Sequence, residues 1–374
     1  TTKTQHSQIN VLKKILANTN GRIDGLNNRL GALNSKLTDG FRMLCEQLKD
    51  VKELLDSNFY YYSGEQWDKQ LYYEDFLVVL EDKEKYHKKI CDMVKGLSSE
   101  DVEEIYRILE RLNALCFNRR IDYSDKEKKI LEHIQEGLYK KIYTIDDELY
   151  IYKNYYLPIK HFEQPVFWYR HGMDELTTLV DIQQRDIIDA GAYIGDSALI
   201  LSEYTKGTVH SFEADPRNYE LMKKTIRMNN KSNIIPVNKA LSDKCGIEKL
   251  FCSDIRDSCN SMNEDMAFVD VDNFCEVECT TIDEYVKRNG LQIGLIKADV
   301  EGAEKEMLKG AINTIKEQRP TMIISIYHNI NDFFTIKPWI ENLNLGYTFK
   351  IFRPVIKGSF MAETVLICEY EGRR

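Results

Sequence analysis

The chain has no Cys-x-x-Cys pair, no long apolar run and no excess of positive charge. Each absence removes a class of function. Nothing approaches the roughly 18–20 consecutive apolar residues that a membrane span requires. The opening residues mix Lys, Gln, Asn and Thr and lack the apolar core of a secretory signal, so a cytosolic protein is expected. A formal charge of -9 argues against a general nucleic-acid binder, because phosphate contacts demand a basic surface. The nine cysteines are scattered and have no histidines at ligand spacing, which reads as reduced thiols with no metal site.

What is present is 374 residues, 43% of them hydrophobic, enough for two or three parts with a sizeable core. Residues 1–58 carry a heptad pattern. Ile9, Leu16, Ile23, Leu30, Leu37, Leu44 and Val51 recur every seven positions, with Leu12, Leu26, Leu33 and Leu54 in a second register. Alternating steps of three and four predict a left-handed coiled coil, roughly 70 Å long if unbroken, and self-association through it. Gly40 and Gln47 weaken that seam, so an amphipathic helix packed on the chain itself is the competing reading. Tyr60–Tyr62 and Ser63–Gly64 close the segment.

Residues 59–138 read as a helical connector. Helical spacing recurs over Trp67–Leu80, Lys83–Val94, Ser99–Leu115 (with Ser99 as N-cap) and Lys126–Leu138. Residues 139–180 change character. Lys141–Ile145 and Glu148–Tyr152 alternate as a hairpin, and Tyr155–His171 is dense in aromatics, most of them expected in the core.

From 181 to 374, strands and helices alternate as in an α/β fold with a parallel sheet of about seven strands. The first strand, Asp186–Asp189, runs into Ala190–Gly191–Ala192–Tyr193–Ile194–Gly195–Asp196, with a helix opening at Asp196. Gly191 lets a ligand approach the backbone, whereas Tyr193 and Ile194 fill the space a dinucleotide diphosphate needs. Asp189 and Asp196 likewise disfavour a diphosphate and suit a cationic ligand such as the ammonium and sulfonium of S-adenosylmethionine. Glu213 ends the second strand, where a carboxylate accepts ribose hydroxyls. Ala214, and Asn238 and Ala240 after the third strand, join the same candidate cofactor set. A single helix is expected over Ala303–Glu317, and a capping box at Thr281 and Glu284.

These stretches resemble the FkbM-type methyltransferases. The likeness covers residues from about 180 to 370. It rests on Ile188–Asp196, Phe212–Pro216, Lys239–Ser242, Ile296–Glu304 and Leu308–Ala311, with Arg319–Pro320 and His328. Tyr193, Ala298 and Ser325 depart from the family's usual residues. The resemblance implies a class I Rossmann-like domain that uses S-adenosylmethionine to methylate a hydroxyl, commonly on a sugar, glycan or related small molecule.

Ligands in such sheets sit where strand order reverses, here between the first and fourth strands. Asp299 and His328, closing the fourth and fifth strands, are the candidates for general base and acceptor positioning. Lys297 shares a face with Asp299 and needs a carboxylate partner, either Asp299 or Glu301. Glu301 is a further candidate, or a helix cap. Two rival readings remain. One is a coiled-coil scaffold whose cofactor-binding domain is inactive, and the other an NAD oxidoreductase, which the missing middle glycine opposes. Substrate choice is expected in the aromatic lead-in and in the loop 253–270.

Overall fold

In the computed structural model, described over residues 63–117, 119, 122–252, 260–263 and 272–372, the fold follows from where apolar side chains recur. The expected coiled coil over 1–58 and most of the loop 253–270 lie outside the described residues. No described helix is long and apolar enough to cross a membrane.

Four helices come first: α1 (Ser63–Glu81), α2 (Lys83–Val94), α3 (Ser99–Cys116) and α4 (Asp125–Gly137). Ser63 is the first residue of α1. The cap of α3 is Ser98, one residue earlier than the spacing implied, because its side chain reaches Asp101 N at 3.1 Å. A capping box of Ser124 and Glu127 starts α4.

The lead-in forms a small antiparallel sheet of β1 (Ile142–Asp146), β2 (Leu149–Tyr152) and β3 (Tyr155–Leu157), followed by the short helices α5 (Gln164–Phe167) and α6 (Leu179–Ile182). Tyr152, Tyr155, Phe162 and Phe167 are buried in one apolar cluster, as expected of these aromatics.

Next come β4 (Asp186–Ala190), α7 (Asp196–Leu201), β5 (Val209–Phe212), α8 (Pro216–Met228) and β6 (Ile234–Val237). A second small sheet, absent from the sequence reading, is built from β7 (Ala240–Leu241), β8 (Gly246–Phe251) and β9 (Phe274–Thr280). The chain then returns through α9 (Ile282–Asn289), β10 (Ile293–Ala298), α10 (Glu304–Lys309), α11 (Ile312–Gln318), β11 (Thr321–Ser325), α12 (Ile330–Glu341), β12 (Thr348–Phe352) and β13 (Val365–Glu369).

The main sheet has seven strands in the order β12-β13-β11-β10-β4-β5-β6. Strands β4, β5, β6, β10 and β11 run parallel, and β13 pairs antiparallel with both β11 and β12. Order therefore reverses between β4 and β10, the place expected from the sequence. At the start of α9, Thr281 accepts from Glu284 N at 3.0 Å, the first half of the expected box. The helix expected over Ala303–Glu317 is instead two short ones. Gly310 lies so close to another chain segment that a Cβ there would sit 2.1 Å from Ser242 O, and its carbonyl accepts from Asp283 N.

Residues 61–374 fold as one compact unit. The first helices share its core: Tyr72, Phe76, Ile105 and Leu109 cluster with Ile296, Ile324 and Phe334. Polar ties bind those helices to the C-terminal segment. Asp101 Oδ1 accepts from Ile351 N at 3.0 Å, and Asp68 accepts from Ser359 Oγ and, at 2.8 Å, from Phe360 N. Tyr123 Oη donates to Ile356 O at 2.9 Å. The Arg353 side chain, 3% exposed, pairs with Glu104 on α3 and with Glu127 on α4 at 2.8 Å. Breaking a buried pair by removing one partner leaves the other charge desolvated. Arg353→Met is therefore expected to cost about 3–5 kcal/mol of stability, read as a lower urea midpoint at unchanged slope.

Candidate functional site

The loop after β4 owes its shape to backbone geometry. Gly191 takes φ +75, and a Cβ there would lie 1.7 Å from Asp299 O, so only glycine lets the β4 and β10 loops touch. Tyr193 is also held at positive φ, 46°, a conformation that costs a non-glycine residue energy. Its N–H donates to Glu213 Oε2 at 2.8 Å, which offsets that cost and joins the loop to the end of β5.

Beneath the loop lies Lys297. In register it faces Asp189 of β4, which in turn faces Ser211 of β5. The ammonium donates to Gly191 O at 2.8 Å and stands 3.4 Å from Asp189 Oδ1 and 3.7 Å from Asp299 Oδ2. Burial favours the neutral amine, but the charges of Asp189, Asp299 and Asp196 outweigh it, so the Lys297 pKa is raised and the ion pair stands. The carboxylate partners are thus Asp189 and Asp299, with Asp189 the closer. Asp189 also accepts from Ser197 Oγ at 2.8 Å and Ser211 Oγ at 3.2 Å.

A cavity of about 530 Å3 opens over the carboxyl ends of β4, β5, β10 and β11. Of the expected residues, Gly191, Tyr193, Asp196, Glu213, Ala214, Ala240, Lys297, Asp299, Glu301 and His328 line it. Asp189, Gly195 and Asn238 do not line it. Asp189 is wholly buried on Lys297. Gly195 turns into α7 at φ 82 and packs on Met222. Asn238 donates to Glu213 O at 2.8 Å and Ala214 O at 3.1 Å, so it supports the β5 turn.

Sequence reasoning missed His161, Glu163, His171, Tyr327 and Glu363, all on the cavity wall. They come from the lead-in and from loops beyond β11 and before β13, where no motif singles them out. The lead-in puts Tyr139, His161, Glu163 and His171 on the wall and buries Tyr152, Tyr155, Phe162 and Phe167 in the core.

Charges divide the wall. Burial lifts Asp196 to about 6 against the pull of His161, whose Nε2 is 4.0 Å away. Burial lifts Glu213 further, to about 8, although Asp215 N and Tyr193 N both donate to it. Asp299 is lowered: burial opposes ionisation, but Lys297 and His328 overcome it, and Ser325 Oγ donates to Oδ1 at 2.8 Å. Ser325, at the family's departure from Glu, therefore supports Asp299 with a hydroxyl. The His328 side chain is only 3% exposed, and its imidazole is pushed well above its usual range because Glu304 and Glu301 outweigh burial. That shift favours the protonated imidazole.

Glu213 generates a stability test. Its folded pKa is raised from 4.5 to about 8, so its contribution is full below 4.5 and is lost as pH rises through 8. Glu213→Gln cannot ionise. The variant carries a constant penalty, since Gln has one acceptor oxygen for the two backbone donors. The Tm difference between the two proteins should nevertheless shift toward the variant across that pH window. A pH-independent difference would show that Glu213 titrates normally.

Residues 189–349 match the family model described as the methyltransferase FkbM domain. No curated protein matches the chain significantly. Among solved structures, the chain is similar to a methyltransferase FkbM from Methylobacillus flagellatus KT, at 18% identity and TM-score 0.47 over 75% of this chain and 58% of that one. It is also similar to the tRNA m1G37 methyltransferase of M. jannaschii, at 15% identity and TM-score 0.31 over 59% and 55% of the two chains. A Streptococcus mutans protein in complex with SAH aligns at 11% identity and TM-score 0.31 over 56% and 99%. The matched part thus spans little more than half of the first two proteins. What assigns the family is the match over 189–349, which begins at Asp189 under the loop and takes in Glu213, Lys297, Asp299 and His328. The C-terminal part of this chain is an FkbM-type methyltransferase domain.

Proposed function

We propose that the protein is an S-adenosylmethionine-dependent O-methyltransferase acting on a hydroxyl of a sugar, glycan or related metabolite, with residues 1–58 associating as a coiled coil. The observation that carries this reading is the cavity over the strand reversal, which both Glu213 and Asp299 line. A nucleoside needs the first and an acceptor hydroxyl the second. Glu213 has lone pairs left after its two backbone donors, enough to accept from a ribose diol. Asp196 and the backbone of Gly191 suit the charged amino-acid end of the cofactor.

Methyl transfer from a sulfonium to oxygen is an in-line displacement, and the enzyme's main task is to align the oxygen and take its proton. Asp299 fits that role: Lys297 and Ser325 keep it ionised and fix its orientation, and its side chain is 20% exposed to the cavity. His328 then serves as a positioning residue behind it, with Nε2 at 3.5 Å from Asp299 Oδ1. Lys297 supports the loop and makes no step of its own.

Calorimetry with S-adenosylhomocysteine is expected to give saturable binding, and NAD none. Asp299→Asn should leave that binding close to wild type and lower transfer to the true acceptor by about 10²–10⁴-fold. Near-full activity in the variant would remove Asp299 from the chemistry. Binding without transfer to any hydroxyl acceptor would favour the scaffold reading.

A further inference from the structure

Four side chains converge at the end of β11. His328 Nε2 lies 3.5 Å from Asp299 Oδ1 and 3.6 Å from Glu301 Oε2, and Nδ1 lies 2.8 Å from Glu304 Oε1. Ligand atoms of Asp299, Glu304 and His328 all fall within 4.8 Å of one another. Around an ion with metal–ligand bonds near 2.1 Å, adjacent ligand atoms stand roughly 3.0–3.5 Å apart. The Asp299 and Glu301 spacings to Nε2 are of that size, and Glu304 stands at the ring's other nitrogen, within the 4.8 Å that spans the set.

The second observation concerns unmet bonding capacity. Glu304 is wholly buried and His328 nearly so, yet Glu304 Oε2 and both ring nitrogens of His328 lack a hydrogen bond. Nδ1 is close to Glu304 Oε1 but out of line for one. Buried polar atoms without partners are rare in folded proteins and call for a ligand or an ion. Three carboxylates around one imidazole carry more negative charge than the neighbouring Lys297, 3.7 Å from Asp299, can offset. Backbone geometry aims one ligand deliberately: Glu301 is held at φ 51, before Gly302 at φ 87.

We propose that Asp299, Glu304 and His328, with Glu301 at the rim, bind one divalent first-row metal ion at the acceptor end of the cavity. Carboxylates with an imidazole suit Mn2+ and its neighbours. The inner ligands, Glu304 and His328, close the site from the core side. Asp299 and Glu301, 20% and 25% exposed, border the cavity and leave coordination positions open to it. Resting on the methyltransferase reading, the ion would hold the acceptor hydroxyl there and make it more acidic. The proton passes to Asp299, the base already assigned, as the O–CH3 bond forms and the S–CH3 bond breaks, releasing S-adenosylhomocysteine. With the ion bound, His328 is a neutral ligand and no imidazolium is needed.

The test uses the full chain after chelator treatment, titrated with Mn2+ and followed by loss of the free-ion EPR signal. One saturable site per chain is expected, weakened at least about tenfold in His328→Gln and Glu304→Gln. Glu301→Gln alters a partly exposed side chain and should also weaken it, so the test stands if the buried variants fail to fold. No saturable binding to the wild type, or equal binding by the variants that fold, overturns the proposal. S-Adenosylhomocysteine calorimetry on the same chelated sample tests the methyltransferase reading separately, because it needs no cation.

Discussion

The structure depends on one buried cation. Lys297 sits in a strand whose every residue is buried, and an ammonium there is tolerable only with its charge matched and its donors used. Asp189, Asp299 and the carbonyl of Gly191 meet that need, and each belongs to a different part of the site. Asp189 stands one residue before the end of β4, Gly191 shapes the loop that follows, and Asp299 lines the cavity. The same charge that solves the solvation problem of β10 therefore sets the spacing between the two halves of the cavity.

A second layer of support comes from outside the family domain. Asp68, Asp101 and Tyr123, from the helical region, hold the backbone of Ile351, Ile356, Gly358 and Phe360. Ile356, Gly358 and Ser359 line the cavity. The helical region thus holds in place a segment that lines the cavity. Asp68 is buried enough that its pKa rises to about 7, so this clasp sits near its titration point at neutral pH.

Much of this was legible in the residues. The parallel strands read out because buried apolar runs alternated with helical spacing, and the strand reversal between Asp189 and Asp299 followed from their order. Lys297 announced a carboxylate partner, and Asp299 was one of the two candidates, but the closer partner, Asp189, did not read out. Asp189 is 108 positions away and is brought opposite only by the pairing of β4 with β10. Asn238 and Gly195 look like site residues because they flank loops, yet they spend their bonding and packing on the protein itself. Glu304 was seen only as part of a motif, and its approach to His328 depends on how α10 meets the end of β11. Glu363 and His171 had no local signal, since distant loops carry them to the wall. The break at Gly310 was hidden because its cause, Ser242, lies 68 positions away.

If Lys297 sets the geometry of the cofactor loop, removing its charge should harm cofactor binding although Lys297 is buried beneath that loop. The direct measurement is calorimetric affinity for S-adenosylhomocysteine in Lys297→Met, a residue of similar length without the ammonium, checked for retained fold by circular dichroism. The account predicts affinity weakened by about tenfold or more, the cost of at least one lost charged hydrogen bond. A folded Lys297→Met protein with wild-type affinity would contradict it.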